Sequence, residues 1–96
     1  MWSVSLHKLA VKDLEALDAE PRRRILKAIQ KKLATSPWDY GAPLRDELFG
    51  YWKLRVDNYR VIYRMKDNIL QVLVVQIGIR RDSEVYESLL KRLDTL

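Results

Sequence analysis

The strongest constraint on this chain lies in residues 51–64, YWKLRVDNYRVIYR. Asp57-Asn58 is a turn pair that tolerates the positive φ of a tight β-hairpin. A two-residue turn sets Val56 opposite Tyr59, Arg55 opposite Arg60, Lys53 opposite Ile62 and Tyr51 opposite Arg64. Side chains alternate along a strand, so Tyr51, Lys53, Arg55, Arg60, Ile62 and Arg64 share one face. Trp52, Leu54, Val56, Tyr59, Val61 and Tyr63 share the other, which reads as a core. The back of the hairpin then carries four cations. Like charges set opposite one another cost stability, so placing Arg55 against Arg60 points to a polyanionic partner.

The flanking segments supply the rest of a fold. Trp2, Val4 and Leu6 alternate with serines, which predicts a strand over 2–7 with one buried face. Ala10, Leu14 and Leu17 then fall at helical spacing. Pro21 suits the first turn of a second helix, whose apolar stripe is Ile25, Leu26, Ile29 and Leu33 and whose remainder is mostly Arg and Lys. That helix ends by Ser36, because Pro37 disfavours helix in its predecessor. Residues 37–50, with Pro37, Gly41, Pro43 and Gly50, read as a loop. After the hairpin and a turn at Asp67-Asn68, residues 69–77 are almost continuously apolar, the signature of a strand covered on both faces. Ser83 to Leu93 reads as a helix, with Val85, Leu89 and Leu93 on one side and Ser83 as its cap. The order is β-α-α-β-β-β-α: an α+β fold with an N-terminal strand, a helical hairpin, an antiparallel β-meander and a C-terminal helix. At 96 residues, with no repeat or linker, the chain is expected to form a single domain over residues 1–96.

Several chemistries are excluded by what is missing. With no cysteine there are no disulfides and no thiol nucleophile. The single histidine, His7, has no second histidine to pair with and is read as an ordinary strand-end residue. Asp13, Glu15, Asp18 and Glu20 read as a solvated helix face. No Gly-rich phosphate loop and no carboxylate set with metal spacing is present. The N-terminus does not read as a signal peptide and no apolar run approaches a bilayer span, so a soluble, cytoplasmic protein without membrane association is expected. The formal net charge of +5 suits nucleic acid, an acidic protein or an anionic surface alike.

What remains is a cationic set: Lys53, Arg55, Arg60 and Arg64 on the hairpin, Arg80 and Arg81 just past the apolar strand, and Tyr86 beyond them. Such a set without histidine or metal suits phosphodiester cleavage in RNA. There a deprotonated 2′-OH attacks the adjacent phosphorus, and cations stabilise the dianionic transition state. A tyrosine can act as the base where neighbouring cations favour its anion. Tyr51 and Trp52 offer rings for base stacking, although Trp52 lies on the core face.

These residues resemble a known family. PLRDEL (43–48), WKLRVDNYRVIY (52–63) and GIRRDSEVYESLLKRL (78–93) are similar to the RelE/ParE superfamily of bacterial toxins, most closely its RelE branch, and the resemblance runs from Trp2 to about Leu93. It implies a ribosome-dependent endoribonuclease that cuts mRNA in the ribosomal A site, with no metal and no cofactor. By that resemblance Tyr86 is the general base helped by Lys53, Arg60 stabilises the transition state, and Arg80 serves the leaving 5′-oxygen. Arg45, a loop arginine, supports the site, and Tyr51, Arg55 and Arg81 are substrate-binding candidates. Two positions depart from the pattern: Tyr51 stands where some RelE toxins carry a second lysine, and Ile79 where many relatives have histidine. The resemblance also implies a cognate antitoxin, contacts with the ribosome (16S rRNA) and mRNA, and operator DNA reached through the antitoxin. The alternatives are a ParE-like inhibitor of DNA gyrase that performs no catalysis, and a toxin that only binds antitoxin and operator.

Overall fold

The computed structural model describes residues 1–79 and 82–96, and the side chains of all of these except Ile79, Asp82 and Ser83. The alternation at the N-terminus produces β1 (Ser3–Leu6). His7 ends it as the cap of α1 (Lys8–Glu15), its Nδ1 accepting the Leu9 N–H at 3.1 Å. Helix α2 (Ala19–Ala28) carries Pro21 in its first turn and runs on into a π-helical turn, Ile29–Leu33. Ile25, Ile29 and Leu33 of the expected stripe are buried; Leu26 is instead 37% exposed, a step off the face that meets the sheet.

The segment expected to be a loop contains a short helix, α3 (Pro37–Tyr40), a two-residue strand, β2 (Ala42–Pro43), and a 3-10 turn at Asp46–Leu48. Gly41 makes this possible. A Cβ there would overlap the Tyr63 hydroxyl oxygen and lie 3.0 Å from the Lys53 carbonyl oxygen. The missing side chain lets β2 close onto the sheet while the Tyr63 hydroxyl donates to the Pro37 carbonyl at 2.7 Å.

The hairpin forms in the expected register. In β3 (Trp52–Val56) and β4 (Tyr59–Lys66), Val56 pairs with Tyr59, Arg55 with Arg60 and Lys53 with Ile62. Asp57 takes φ 55 in the turn. β5 (Gln71–Ile79) follows a 3-10 turn, and the sheet order is β1-β5-β4-β3-β2. β5 is parallel to β1 over Gln71–Val74 and antiparallel to β4 along its length, so its first half is paired along both edges. The meander is thus part of a mixed sheet, because β1 joins β5 in parallel while the other pairs are antiparallel.

Each face has its own core. Leu54, Val61, Tyr63, Val72 and Val74 pack against α1 and α2 on one side. On the other, Tyr51, Ile62 and Val75 meet Leu44, Leu48 and α4 (Asp82–Arg92) through Val85 and Leu89. The back of the hairpin is therefore half core and half cationic. Val75 is the extra residue of a bulge opposite Ile62 and Tyr63, and it turns one more side chain toward α4. Burying Val85 and Leu89 docks the helix at about 1.5–3 kcal/mol each. α4 starts at Asp82, so Ser83, the expected cap, is a residue of its first turn whose side chain lies outside the described residues.

Asp13 corrects the expectation of a solvated acidic face. β1 ends at Leu6, paired with Val74, and among the described residues no strand pairs with the later part of β5 on that side. The Asp13 carboxylate accepts the Ile77 N–H at 3.0 Å. Arg92 donates to the Val75 carbonyl at 3.1 Å and forks onto Asp13 at 2.8 and 3.1 Å. Two helix side chains take the place of the missing strand and satisfy backbone groups that would otherwise be orphaned.

Candidate active site

Lys53 projects from β3 on the face toward α4, and its Nζ lies 5.6 Å from the ring centroid of Tyr86. An ammonium over an aromatic face is attracted by the ring quadrupole. Both side chains are half-buried. Tyr86 arrives there because it follows Val85, whose packing fixes the first turns of α4 on the sheet. Gly78 admits that packing: a Cβ on it would stand 3.2 Å from Val85 Cγ2.

Lys53 and Tyr86 open onto a cleft of about 400 Å³ whose other wall is Ala42, Pro43, Leu44, Arg45, Asp46 and Leu48. Arg45 is exposed and precedes the 3-10 turn, which closes through the Leu48 N–H donating to the Arg45 carbonyl at 3.0 Å. The same wall is anchored where the Leu44 N–H meets the Tyr51 carbonyl at 2.8 Å. Asp46, at φ 53, adds one carboxylate to the rim. The cleft thus joins two cations, one acid and one phenol, a set able to hold a phosphate and exchange a proton with a neighbouring hydroxyl.

The remaining predicted residues divide. Arg60 sits half-buried on β4, on the same face as Lys53 and diagonal to it, with Arg55 on one flanking strand and Gly78 on the other. Its Nη1 donates to the Tyr59 carbonyl at 3.1 Å. Arg55 is exposed. Arg64 is exposed too, its guanidinium carbon 5.1 Å from the ring centroid of Tyr51. Tyr51 is only 8% exposed, so its ring is a core element and does not offer a stacking face to a base. The exposed ring beside the cleft wall is Phe49, 84% exposed and directly after Leu48. Reading the sequence missed it; its signal was an aromatic in a Gly-containing loop with no strand or helix period to bury it. Arg80 and Arg81 lie outside the described residues.

Neighbouring features do not compete. Burial pushes the Tyr63 phenol well above the usual range, and its hydroxyl is spent on Pro37. A groove of about 440 Å³ along α2, lined by Arg22, Arg23, Leu26 and Lys27 among others, holds cations but no group suited to proton transfer at neutral pH. Among the described residues no three His, Cys, Asp or Glu side chains gather closely enough to hold a metal ion. No helix among them is long and apolar enough to cross a membrane.

Known proteins share this architecture. A family model described as the ParE toxin of the type II toxin-antitoxin system, parDE, matches residues 4–84. Toxin RelG of Mycobacterium tuberculosis is 28% identical over 81 residues, covering 84% of this chain and 93% of that protein. The toxin–antitoxin complex RelBE2 of M. tuberculosis aligns with a TM-score of 0.80 at 28% identity, over 82% of this chain and 98% of that one. The isolated RelE toxin of E. coli aligns with a TM-score of 0.70 over 97% of this chain and 99% of that one; at 21% identity it speaks for the fold alone.

Proposed function

Since the chain belongs to the RelE/ParE family of type II toxin–antitoxin toxins, we propose that it is a toxin that cuts mRNA on the ribosome and so blocks translation. The observation that carries this reading is the Lys53 ammonium 5.6 Å from the Tyr86 ring at the mouth of a cleft shared with Arg45. Tyr86, held beside that ammonium, acts as the general base and takes the 2′-OH proton of the substrate. The 2′-oxygen forms its bond to phosphorus as the bond to the 5′-oxygen breaks. The products are a 2′,3′-cyclic phosphate and a 5′-hydroxyl. Arg60 neutralises charge on the equatorial oxygens, Arg45 orients the strand, and Arg80 protonates or neutralises the leaving oxygen. Arg55, Arg64 and Arg81 contact ribosomal RNA phosphates, and Phe49 stacks on a base.

A cognate antitoxin is the second partner, and operator DNA is reached through it; the toxin acts in the cytoplasm as one domain. A gyrase inhibitor on the same scaffold is the competing reading, favoured by the ParE name of the matching family model. Primer extension on translated mRNA and gyrase supercoiling, run side by side with the purified toxin, separate the two. Translation-dependent cuts within codons support the nuclease. Blocked supercoiling with intact mRNA supports the inhibitor.

A further inference from the structure

We infer that Asp13 and Arg92 are positioning residues: together they set the rotation of α4 about its axis and so hold Tyr86 against Lys53. This rests on the reading of Lys53 and Tyr86 as the reacting pair.

Val85, Leu89 and Arg92 fall at i, i+4 and i+7, so they form one face of α4. The first two are buried in the second core. Arg92 occupies the next position of the same stripe, where an apolar residue would ordinarily stand, and its side chain is 18% exposed. Its guanidinium makes three bonds: Nη1 to Asp13 Oδ2 at 2.8 Å, Nη2 to Asp13 Oδ1 at 3.1 Å and Nη1 to the Val75 carbonyl at 3.1 Å. Asp13 is itself fixed by the Ile77 N–H at 3.0 Å. The arrangement has a polarity, acceptor on the N–H and donor on the carbonyl, which the open edge of β5 imposes.

Apolar packing at Val85 and Leu89 is non-directional and tolerates a small roll of the helix. A bidentate guanidinium–carboxylate pair does not, because both bonds depend on the plane of the fork. A further directional tie along α4 is Gln76 Nε2 donating to the Val85 carbonyl at 3.0 Å. Tyr86 projects about 100° around the helix from Val85. A roll of about 20° at a side-chain radius of about 5–6 Å displaces that ring by about 2 Å, and about 1 Å of misplacement can cost about a hundredfold in rate. The clamp therefore lies about a third of a turn around the helix from Tyr86 and still governs it.

The test uses the full chain and Arg92→Met, which keeps an apolar stem of similar length, with Asp13→Asn as the second variant. Ring-current displacement of the Lys53 ε-methylene resonances by Tyr86 reports the contact without any substrate. In both variants it should fall by about half or more, while the methyl resonances of Val61 and Ile62 stay in place. On programmed ribosomes kcat should drop about tenfold or more, with KM within about twofold. Arg92→Lys, a point charge without the fork, should restore little of either. Unchanged Lys53 resonances in both variants overturn the inference whatever the activity. A wild-type protein that cuts no RNA sinks the catalytic reading instead, and the resonance measurement still decides the clamp. Should Arg92→Met not fold, Asp13→Asn carries both readouts, since its amide oxygen can still accept from Ile77.

Discussion

Gly41→Ala is the smallest change that tests how the cleft is built. The added methyl would overlap the Tyr63 hydroxyl, approach its Cζ to 2.9 Å and press on the Lys53 carbonyl at 3.0 Å. The carbonyl belongs to β3 and cannot move cheaply, so Tyr63 or the β2 segment must shift. Overpacking a closed site costs about 1–3 kcal/mol. If the hydroxyl is driven off Pro37, a buried carbonyl loses its partner for about 1–3 kcal/mol more. The sum, roughly 2–6 kcal/mol, is a large share of the 5–15 kcal/mol typical of a domain. At about 4–8 °C per kcal/mol, Tm should fall by at least about 8 °C in calorimetry. Tyr63→Phe alone should cost about 1–3 kcal/mol through the unpaired carbonyl. Combined with Gly41→Ala it should cost less than the sum by about 1 kcal/mol, because the overlapping oxygen is gone. Since Ala42 and Pro43 line the cleft, cleavage should fall in Gly41→Ala at temperatures where it is still folded. A Tm within about 2 °C of wild type, or strictly additive costs, would refute the packing argument.

Tyr63 also predicts an alkaline limit. Its folded-state pKa lies above the ordinary value of about 10, so its contribution is whole below that value and is lost as pH rises beyond it. Urea midpoints should therefore drop as pH rises above about 10, and less so in Tyr63→Phe; equal drops would remove Tyr63 as the cause. Phe49→Ala should raise KM for ribosome-bound mRNA by about 5–100-fold with little change in kcat, the range of one base stack. An unchanged KM would leave the exposed ring without a substrate role. Arg60→Lys should lower kcat about 10-fold to 1000-fold, whereas Arg55→Ala should mainly weaken binding and reduce its salt dependence; the reverse ranking would exchange their roles.

How much of this was legible in the chain varies with the physics involved. Hairpin register follows from the Asp57-Asn58 turn and strict alternation, both local, and it holds residue by residue from Val56–Tyr59 to Lys53–Ile62. Helical stripes on α1, α2 and α4 were readable for the same reason. The parallel pairing of β1 with β5 was not, since element order alone does not give sheet order. Nor was β2, where Gly41 and Pro43 signal a loop and only the tuck of Tyr63 beneath Gly41 lets the chain reach β3. Tyr51 fell on the expected face, but its burial depends on Leu44, Leu48, Val85 and Leu89 arriving from distant segments. Asp13 looked solvated because helical periodicity carries no information about the unpaired edge of β5. In the site, Lys53, Tyr86 and Arg45 converge on one cleft, while Arg55 remains outside it on an exposed strand position.

Single-turnover cleavage of mRNA on programmed ribosomes, comparing wild type with Tyr86→Phe and Lys53→Met, tests the central claim most directly. Both substitutions should lower the cleavage rate by about 10²–10⁴-fold, leave Tm and antitoxin binding close to wild type, and together cost little more than either alone, because the two side chains act as a unit. Wild-type rates in either variant, or additive losses in the double, would contradict the account.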